Sequence, residues 1–396
     1  MGYADAFPYR SPAEIFREHA ALTGFENDGD RDLDLGGLAE VTADAYDDLA
    51  PVQWPVPRAH APGRKRLFAE GGFFTDDRRA RLVAPESPRL ATPVSDAYPF
   101  ILNTGRVRDQ WHTMTRTGKS PRLGSHRPVP YVEIHPADAL ALGLSSGNLA
   151  RVWSDTGSAV LEVEVTDAQR PGSLFVPIHW SGETSSDGSI GALVRGCVDA
   201  HSGAAREQGG AGRGRTGADA LRGFILSRRP VRLPAGTWWA RCAVEGGSGT
   251  LFAAPGSARD VAGWVAELFP GAELAEYVDA GAEVYRCAAF TGGAFEGALF
   301  VAPASARPQW DTVKDLLAQD GSDADRRLAV SGRGMQASGG PTICACFSVG
   351  LDAIRSAIAS GGASSPEEIG AALRAGTNCG SCVPELRRIL AAASAA

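Results

Sequence analysis

Cysteines and long apolar runs are both scarce in this sequence. Seven cysteines occur among 396 residues. Nothing in the chain suggests secretion, because residues 1–13 lack the basic-then-apolar pattern of a signal peptide. No apolar run approaches the roughly 18 to 20 residues that a membrane helix needs. We therefore expect a cytoplasmic protein that does not enter a membrane.

Positive charge is also in deficit, since 39 Lys and Arg face 46 Asp and Glu, for a net charge of −7. This balance argues against general nucleic-acid binding. The deficit is uneven, because residues 1–50 hold twelve acids and three arginines, whereas residues 103–127 hold six basic residues and one acid, Asp109. A basic stretch inside an acidic chain indicates a local anionic ligand, and a solvated basic loop is the alternative. The sequence shows no convincing internal repeat.

Four of the seven cysteines lie near the C-terminus, in Cys344–Cys346 and Cys379–Cys382, with C-x-C and C-x-x-C spacing. Four thiolates in this arrangement can bind an iron–sulfur cluster or a single zinc ion. Zinc sites more often use C-x2-C at both positions, so the spacing favours the cluster. A disulfide or free thiols are the remaining alternative, and the lack of a secretion signal argues against the disulfide.

Three helical patterns accompany these cysteines. The first covers residues 349–359, with its apolar positions on one stripe. The second begins after Ser365, with Pro366 at the first helical position and Glu368 reaching back as in a capping box. The third begins after the second cysteine pair and covers residues 383–392, so its N–H groups would favour sulfur in the thiolate form. About fifty residues form a poor core alone, so a bound metal would supply much of this segment's stability.

The rest of the chain changes from helical to β-rich patterns. Residues 98–180 show short strands, a hairpin and one small helix, which together predict a compact barrel. Residues 236–318 mix strands and helices and predict a small α+β domain. Glycine-rich stretches at 209–217 and 320–340 fit connectors. An N-terminal helix is expected to bury one stripe: Ile15, Phe16, His19 and Leu22.

The sharpest internal motif is a strand that runs into a Thr-Gly turn, Leu102–Arg106, followed by residues 109–118. The turn exposes backbone N–H groups and a hydroxyl, and its glycine lets a phosphate approach the backbone closely. Arg106 and Arg108 can donate charge-assisted hydrogen bonds to phosphate oxygens, and the Trp-His pair that follows offers flat rings to a heterocycle. These properties predict a site for an anionic, aromatic cofactor, with an ordinary structural turn as the alternative.

Both motifs resemble known families. Residues 341–391, with both cysteine pairs, are similar to the small 2Fe-2S domain of bacterioferritin-associated ferredoxins. Residues 103–118, with the stretches 135–139 and 147–152, resemble the C-terminal cofactor domain of molybdopterin oxidoreductases of the dimethyl-sulfoxide-reductase superfamily. The whole chain resembles the last third of bacterial assimilatory nitrate reductases, and the matching stretches are Tyr9–Glu18, Val52–Pro55, Asn103–His112 and Pro177–Trp180.

The resemblance implies a multidomain protein of the α/β and β classes. Its expected parts are the tail of a molybdopterin oxidoreductase catalytic core (residues 1–95), a molybdopterin dinucleotide-binding double-psi β-barrel (96–215), a small α+β domain (235–320) and a small all-helical, ferredoxin-like 2Fe-2S domain (341–392).

The resemblance also implies two cofactors and their contacts, and it assigns no catalytic residue. The 2Fe-2S cluster would be ligated by Cys344, Cys346, Cys379 and Cys382. The molybdenum bis(molybdopterin guanine dinucleotide) would be contacted by Asn103, Thr104, Gly105, Arg106, Arg108, Trp111, His112, Thr113, His179, Trp180 and Ser202. For His179 and Trp180, a role in the core or at the barrel rim is the alternative.

The implied function is that of the C-terminal part of a molybdenum-dependent assimilatory nitrate reductase, which passes electrons from the 2Fe-2S cluster for the reduction of nitrate to nitrite. The electron donor would be an NAD(P)H-linked flavoprotein subunit, a ferredoxin or a flavodoxin. Because no four-cysteine motif lies near Met1 and no segment resembles the molybdenum-ligating region, this chain alone is expected to be incomplete and inactive. The alternatives are part of a formate dehydrogenase-like molybdopterin oxidoreductase, or a non-catalytic electron-transfer or cofactor-binding module.

Overall fold

The computed structural model divides the chain into two compact units, Met1–Pro88 and Arg89–Ala396, and each is described by itself. The residues that the structure describes are 2–60, 65–69, 71–84, 94–198, 205–209, 221–318, 326–331 and 340–394. Within these ranges, no helix is long and apolar enough to cross a membrane.

The first unit contains two helices, α1 (Pro12–Gly24) and α2 (Ala43–Asp47). The predicted buried stripe of α1 is wrong, because three of its four members are exposed: Ile15, His19 and Leu22. The helix instead packs through a small residue, Ala20, against Leu35 and Val56. Periodicity alone does not decide which of two adjacent faces is buried, and here the face with small side chains allows the closer approach.

The second unit begins with a mixed five-stranded sheet in the order β1-β5-β2-β4-β3. Its elements are β1 (Ile101–Gly105), α3 (Pro121–Gly124), β2 (Tyr131–Ile134), α4 (Pro136–Leu142), β3 (Leu149–Trp153), β4 (Ser158–Val165) and β5 (Ser173–Pro177). The predicted hairpin is confirmed, since β3 and β4 pair in antiparallel fashion from Leu149–Glu162 to Trp153–Ser158. The strand β1 pairs in parallel with β5, so the carboxyl ends of both strands, Gly105 and Pro177, lie side by side. A separate ribbon pairs β6 (Val194–Val198) with β7 (Ala205–Gly209).

The third part is an antiparallel six-stranded sheet in the order β11-β12-β13-β8-β10-β9. Its elements are β8 (Leu221–Ser227), β9 (Trp238–Val244), β10 (Gly247–Ala254), α5 (Ala258–Ala262), α6 (Val265–Leu268), β11 (Glu273–Asp279), β12 (Val284–Thr291), β13 (Ala294–Pro303), α7 (Asp311–Lys314) and α8 (Arg326–Ser331). Strands and helices are mixed here, as the sequence predicted. Each face of the sheet is covered by its own apolar cluster, so this part has two cores.

This sheet contains an internal duplication, so the expectation that no repeat is present was wrong. The sequence LFAAPGSAR at residues 251–259 recurs as LFVAPASAR at 299–307, and each copy follows an RCA tripeptide. The two copies form equivalent hairpins, β9–β10 and β12–β13, which flank the central strand β8 on opposite sides. Phe252 packs into the cluster on one face of the sheet and its counterpart Phe300 into the cluster on the other. An approximate two-fold axis along β8 therefore relates the two hairpins.

The chain ends in a tail domain, residues 340–394. It consists of β14 (Thr342–Cys344), β15 (Val349–Gly350), α9 (Leu351–Ala359), α10 (Pro366–Leu373) and α11 (Val383–Ser394). The three predicted helices are present, and the Ser365 hydroxyl caps α10 by accepting a hydrogen bond from the Glu368 N–H. The expectation of an all-helical domain was wrong, because β14 and β15 form a short antiparallel ribbon. The turn at residues 345–348, which follows Cys344 and contains Cys346, brings the chain back on itself, and pairing satisfies the backbone groups of the two strands.

Candidate functional site

The tail domain brings the four C-terminal cysteines to one place as two pairs. Cys344 ends β14 and is buried, and Cys382 is buried directly before α11. Cys346 is half-buried and Cys379 is exposed. The Sγ atoms of Cys346 and Cys379 lie 3.3 Å apart. One pair therefore faces the domain core and the other faces outward.

The surroundings of the two pairs differ in electrostatics. Hydrogen bonds from Ser381, whose hydroxyl lies 3.1 Å from the Cys379 sulfur, lower the pKa of the Cys379 thiol. Burial, with the neighbouring Cys344 thiol, raises the pKa of Cys382 to about 11. A thiol that is buried in an apolar core needs a positive centre to ionise, and a bound metal would supply one.

The donor set fits a two-iron cluster. A 2Fe-2S cluster takes four thiolates, two for each iron, and the sulfurs here meet as two pairs. Within the described ranges, no group of three or more His, Cys, Asp or Glu side chains is arranged to hold a single metal ion. Among the described residues, no other cysteine lines the cavity that contains these four.

A cavity of about 810 Å³ joins the cysteines to the internal motif. We call it the sulfur cavity. One wall carries all four cysteines and Ser381. The opposite wall comes from the motif loop, residues 106–120, and the short helix after it, and includes Arg108, Asp109, Trp111 and Arg122. The two sites that the sequence singled out separately are therefore neighbours, although more than 200 residues separate them along the chain.

The motif loop leaves the carboxyl end of β1 and presents polar groups to solvent. Arg106 is exposed, and no described residue forms a hydrogen bond or ion pair with its guanidinium group. The Thr104 hydroxyl is buried and has no hydrogen-bond partner within the described ranges. A free cation and an unsatisfied buried hydroxyl at the end of a strand are groups that a phosphate-bearing ligand could satisfy. Gly105 is half-buried, and four further predicted contacts on this segment are exposed: Asn103, Trp111, His112 and Thr113.

The loop backbone is strained where it passes these side chains. His112 has a φ of 46° and Met114 a φ of 60°, both in the left-handed region that residues other than glycine seldom adopt. Such strain persists only where the surroundings hold the conformation, and it is common at ligand sites.

His179 is one of the groups that hold the loop. It is completely buried, its Nε2 accepts a hydrogen bond from the Val107 N–H at 2.9 Å, and its Nδ1 lies 2.6 Å from the His112 carbonyl oxygen, to which it donates. Burial lowers the pKa of His179, which keeps the ring neutral. Because the protein backbone uses both ring nitrogens, the structure supports the core role and not the predicted pterin contact.

Trp180 is similarly inaccessible, with 2% of its surface exposed, and it packs with Met114 and Tyr131 beneath the motif loop. The structure therefore also supports the core role for this residue. Ser202, the last of the predicted contacts, lies outside the described residues.

Arg108 differs most from its predicted role. Instead of reaching into solvent for a phosphate, its guanidinium group contacts Asp109 at 3.1 Å and Glu385 of α11 at 3.1 Å, and it donates a hydrogen bond to the Ile343 carbonyl. His126 joins the same group, with its Nδ1 2.8 Å from Asp109. Burial raises the pKa of Asp109, but the hydrogen bond to His126 and the charge of Arg108 outweigh it and hold that pKa below its ordinary value.

Sequence reasoning missed His126, Glu385 and Ser381. His126 lies in the basic stretch, and Ser381 lies between two predicted ligands, so position alone could have drawn attention to both. Glu385 gave no signal, because an acid in the first turn of a helix is common for local reasons.

Comparison with known families matches the two sites. Residues 100–208 match the molybdopterin dinucleotide binding domain, and residues 342–392 match the BFD-like 2Fe-2S binding domain. The chain carries both cofactor-binding domains. The motif loop thus belongs to the dinucleotide-binding domain, and the tail domain is the 2Fe-2S domain.

Individual relatives agree with this assignment. The chain is 41% identical to a nitrate reductase of Klebsiella oxytoca over 99% of its own length and 45% of that protein. It is 30% identical to the assimilatory nitrate reductase catalytic subunit of Bacillus subtilis over 49% of its length and 26% of that protein. It is 29% identical to the F420-dependent formate dehydrogenase subunit alpha of Methanocaldococcus jannaschii over 46% of its length and 25% of that protein. The chain thus spans less than half the length of each of these relatives.

Proposed function

We propose that this chain is the C-terminal part of a molybdenum-dependent assimilatory nitrate reductase, and that electrons enter it through the tail domain. The observation that carries the proposal is the sulfur cavity, which has four cysteines on one wall and the motif loop on the other. A one-electron carrier beside a molybdopterin dinucleotide is the arrangement that a molybdenum oxidoreductase needs. The similarity to a nitrate reductase over 99% of the chain supports nitrate as the substrate.

The residues take the following roles in this proposal. The five-stranded sheet and the β6–β7 ribbon form a double-psi β-barrel within residues 96–215, between a catalytic-core segment (1–95) and the α+β domain. The predicted range of that domain, 235–320, starts too late, because its central strand β8 is Leu221–Ser227. Arg106 and the Thr104 hydroxyl bind the phosphates, with Gly105 allowing close approach of the backbone. Asn103, Trp111, His112 and Thr113 line the ligand from the exposed side. Cys344, Cys346, Cys379 and Cys382 ligate the cluster of the domain at 341–392.

The overall reaction is the reduction of nitrate by two electrons and two protons to nitrite and water. When bound, the cluster supplies one-electron transfer and the molybdenum centre supplies the two-electron chemistry. This chain's own residues bind, orient and shield these groups: Ser381 favours the thiolate of Cys379, and His179 fixes the motif loop. We place the protein in the cytoplasm, where reduced thiols persist, with a flavoprotein subunit, ferredoxin or flavodoxin as donor.

Reconstitution of the cluster tests the first half of the proposal. We expect the chain, incubated anaerobically with iron and sulfide, to gain the visible absorption of a 2Fe-2S cluster and two irons per chain. Cys379→Ser should abolish the signal, since it removes a ligand. Cys242→Ala, a change to a cysteine of β9 outside the sulfur cavity, should leave it intact. A colourless protein that binds one zinc ion tightly would contradict the proposal.

The substrate is tested with reduced viologen as the electron source, in an enzyme that contains this chain with its molybdenum cofactor. We expect oxidation of the dye with nitrate, and no reduction of the oxidised dye with formate. The formate dehydrogenase alternative predicts the reverse. It is less favoured, because the formate dehydrogenase compared above matches 46% of the chain, against 99% for the nitrate reductase. Cluster binding with neither activity would favour a non-catalytic electron-transfer module.

A further inference from the structure

The contact between the tail domain and the motif loop centres on one arginine. The Arg108 side chain is 17% exposed, and its three nitrogens face three acceptors: the carboxylates of Asp109 and Glu385 and the carbonyl of Ile343. Asp109 lies on the motif loop, whereas Glu385 and Ile343 belong to the tail domain. The guanidinium group therefore joins both sides of the contact through hydrogen bonds to Asp109 and to the Ile343 carbonyl, and through an ion pair with Glu385 that lacks hydrogen-bond geometry.

The acceptors lie next to the cluster ligands. Ile343 directly precedes Cys344, and Glu385 lies one turn after Cys382 in α11. Any displacement of the tail domain from Arg108 would therefore displace the two buried cysteines as well. The same two backbone segments therefore carry the acceptors of Arg108 and the buried sulfur atoms.

Two weaker polar contacts also join the tail domain to the segment that follows the motif loop. The Arg122 guanidinium lies 3.4 Å from the Cys346 carbonyl oxygen, and the Ser125 hydroxyl lies 3.4 Å from that of Thr342. Both tail-domain partners again flank or include a predicted ligand. These contacts are long and partly exposed, so the Arg108 group is the main polar attachment among them.

Charge balance explains why Arg108 is needed at this position. Asp109 and Glu385 are two acids brought into one partly buried group, and His126 approaches both, at 2.8 Å and 3.8 Å. Without the guanidinium group, the carboxylates of Asp109 and Glu385 would lie close together, and the His126 imidazole would be the only described basic group that contacts both. Leaving buried charges unpaired in this way is strongly destabilising.

We propose that Arg108 is a positioning residue that holds the 2Fe-2S domain against the motif loop and so sets the distance between the cluster and the dinucleotide. The first half concerns docking and stands on the contacts alone, whereas the second half rests on the proposed function. The alternative is that Arg108 binds a phosphate of the dinucleotide. Its exposed neighbour Arg106 can take that role instead.

Amide hydrogen exchange of the reconstituted full chain tests the docking. In Arg108→Ala, we expect amides at residues 342–346 and 383–388 to exchange about tenfold faster or more, since one partner of a buried ion-pair group is lost. Cluster content and absorption should stay unchanged, because no ligand is touched. The matched control is Arg116→Ala, which removes an exposed arginine side chain of the same loop that has no described partner, and it should exchange like the wild type.

A second variant keeps the test decisive if Arg108→Ala does not fold. Glu385→Gln preserves volume and removes the charge on the tail-domain side, so the same two segments should exchange faster, with a smaller effect. Wild-type exchange in both variants would overturn the proposal. So would wild-type exchange in Arg108→Ala combined with weakened binding of guanosine diphosphate, which would assign Arg108 to the phosphate.

Single-turnover oxidation of the cluster by nitrate tests the distance, in the enzyme with both cofactors present and reduced, because nitrate takes two electrons and the cluster supplies one. We expect Arg108→Ala to slow the oxidation several-fold, because the rate of electron transfer falls steeply as the distance between cluster and dinucleotide grows, while Arg116→Ala should leave the rate unchanged. A normal rate in Arg108→Ala despite faster exchange would overturn the second half. If nitrate fails to oxidise the wild-type cluster, the proposed function is wrong, and the exchange result still decides the docking.

Discussion

At the scale of single residues, function depends on partners that the chain supplies from a distance. His179 and Arg108 were both predicted to touch a cofactor. Each instead uses its polar atoms on the protein, His179 on the backbone of the motif loop and Arg108 on the tail domain. Residue type indicated correctly that these positions bind something polar, but it could not indicate what. Of Arg106 and Arg108, Arg106 is the one whose guanidinium group has no described hydrogen-bond or ion-pair partner.

Replacing His179 tests its role as a support for the loop. We expect His179→Phe to lower the free energy of unfolding by about 2–4 kcal/mol, because the Val107 N–H and the His112 carbonyl lose buried partners worth about 1–3 kcal/mol each. Chemical denaturation measures this difference. His112→Asn, a change to an exposed residue that keeps a side chain tolerant of positive φ, should alter stability little. A neutral His179→Phe would show that water or a ligand replaces the ring.

The same residue predicts a pH dependence. His179 must be neutral for Nε2 to accept from Val107, and burial lowers its folded-state pKa below the ordinary 6.5. Its contribution to stability is therefore fully present above about pH 6.5 and is lost as the pH falls through the lowered value, because the unfolded chain then binds the extra proton. Denaturation of the wild type between pH 7.5 and 5 should show this loss in comparison with His179→Phe. Parallel curves would contradict the assignment.

At the scale of elements, local patterns predicted most helices and strands, and tertiary pairing supplied what they could not. The hairpin β3–β4 and the three tail helices follow from turn residues, caps and periodicity within short windows. The β14–β15 ribbon was missed because two- and three-residue strands carry no periodic signal. The duplication was missed because the two hairpins have different lengths, with nine residues between Arg241 and Leu251 and twelve between Arg286 and Leu299.

The duplication makes Gly223 of the central strand β8 a critical position. A Cβ there would overlap the Phe300 carbonyl of one hairpin and the Phe252 ring of the other. Backbone on one side cannot withdraw without breaking the strand pairing, so we expect Gly223→Ala to destabilise the sheet by about 1–3 kcal/mol or more. The matched control is Gly196→Ala in strand β6, where an added Cβ meets nothing within 4 Å. Equal melting temperatures for both variants would contradict the claim that the two hairpins require a glycine at position 223.

At the scale of the whole molecule, stability is divided among separate cores. The five-stranded sheet, the two faces of the six-stranded sheet and the tail domain each bury their own apolar cluster. The tail cluster is the only one of these four that contains predicted metal ligands, since Cys344 and Cys382 are among its buried members. Cluster binding should therefore stabilise this part of the molecule more than the others, because the ligands and the core are the same residues.

Removal of the iron should consequently melt the molecule in two steps. With the cluster bound, the tail domain gains the free energy of binding, and each kcal/mol raises the melting temperature of so small a domain by about 4–8 °C. We expect differential scanning calorimetry of chelator-treated protein to show a new low-temperature transition. On reconstitution this transition should merge with the main one. In Cys379→Ser the low transition should persist after reconstitution, whereas Gly223→Ala should shift the main transition alone. A single transition with the same melting temperature before and after removal of the iron would mean that the tail domain folds without its cluster.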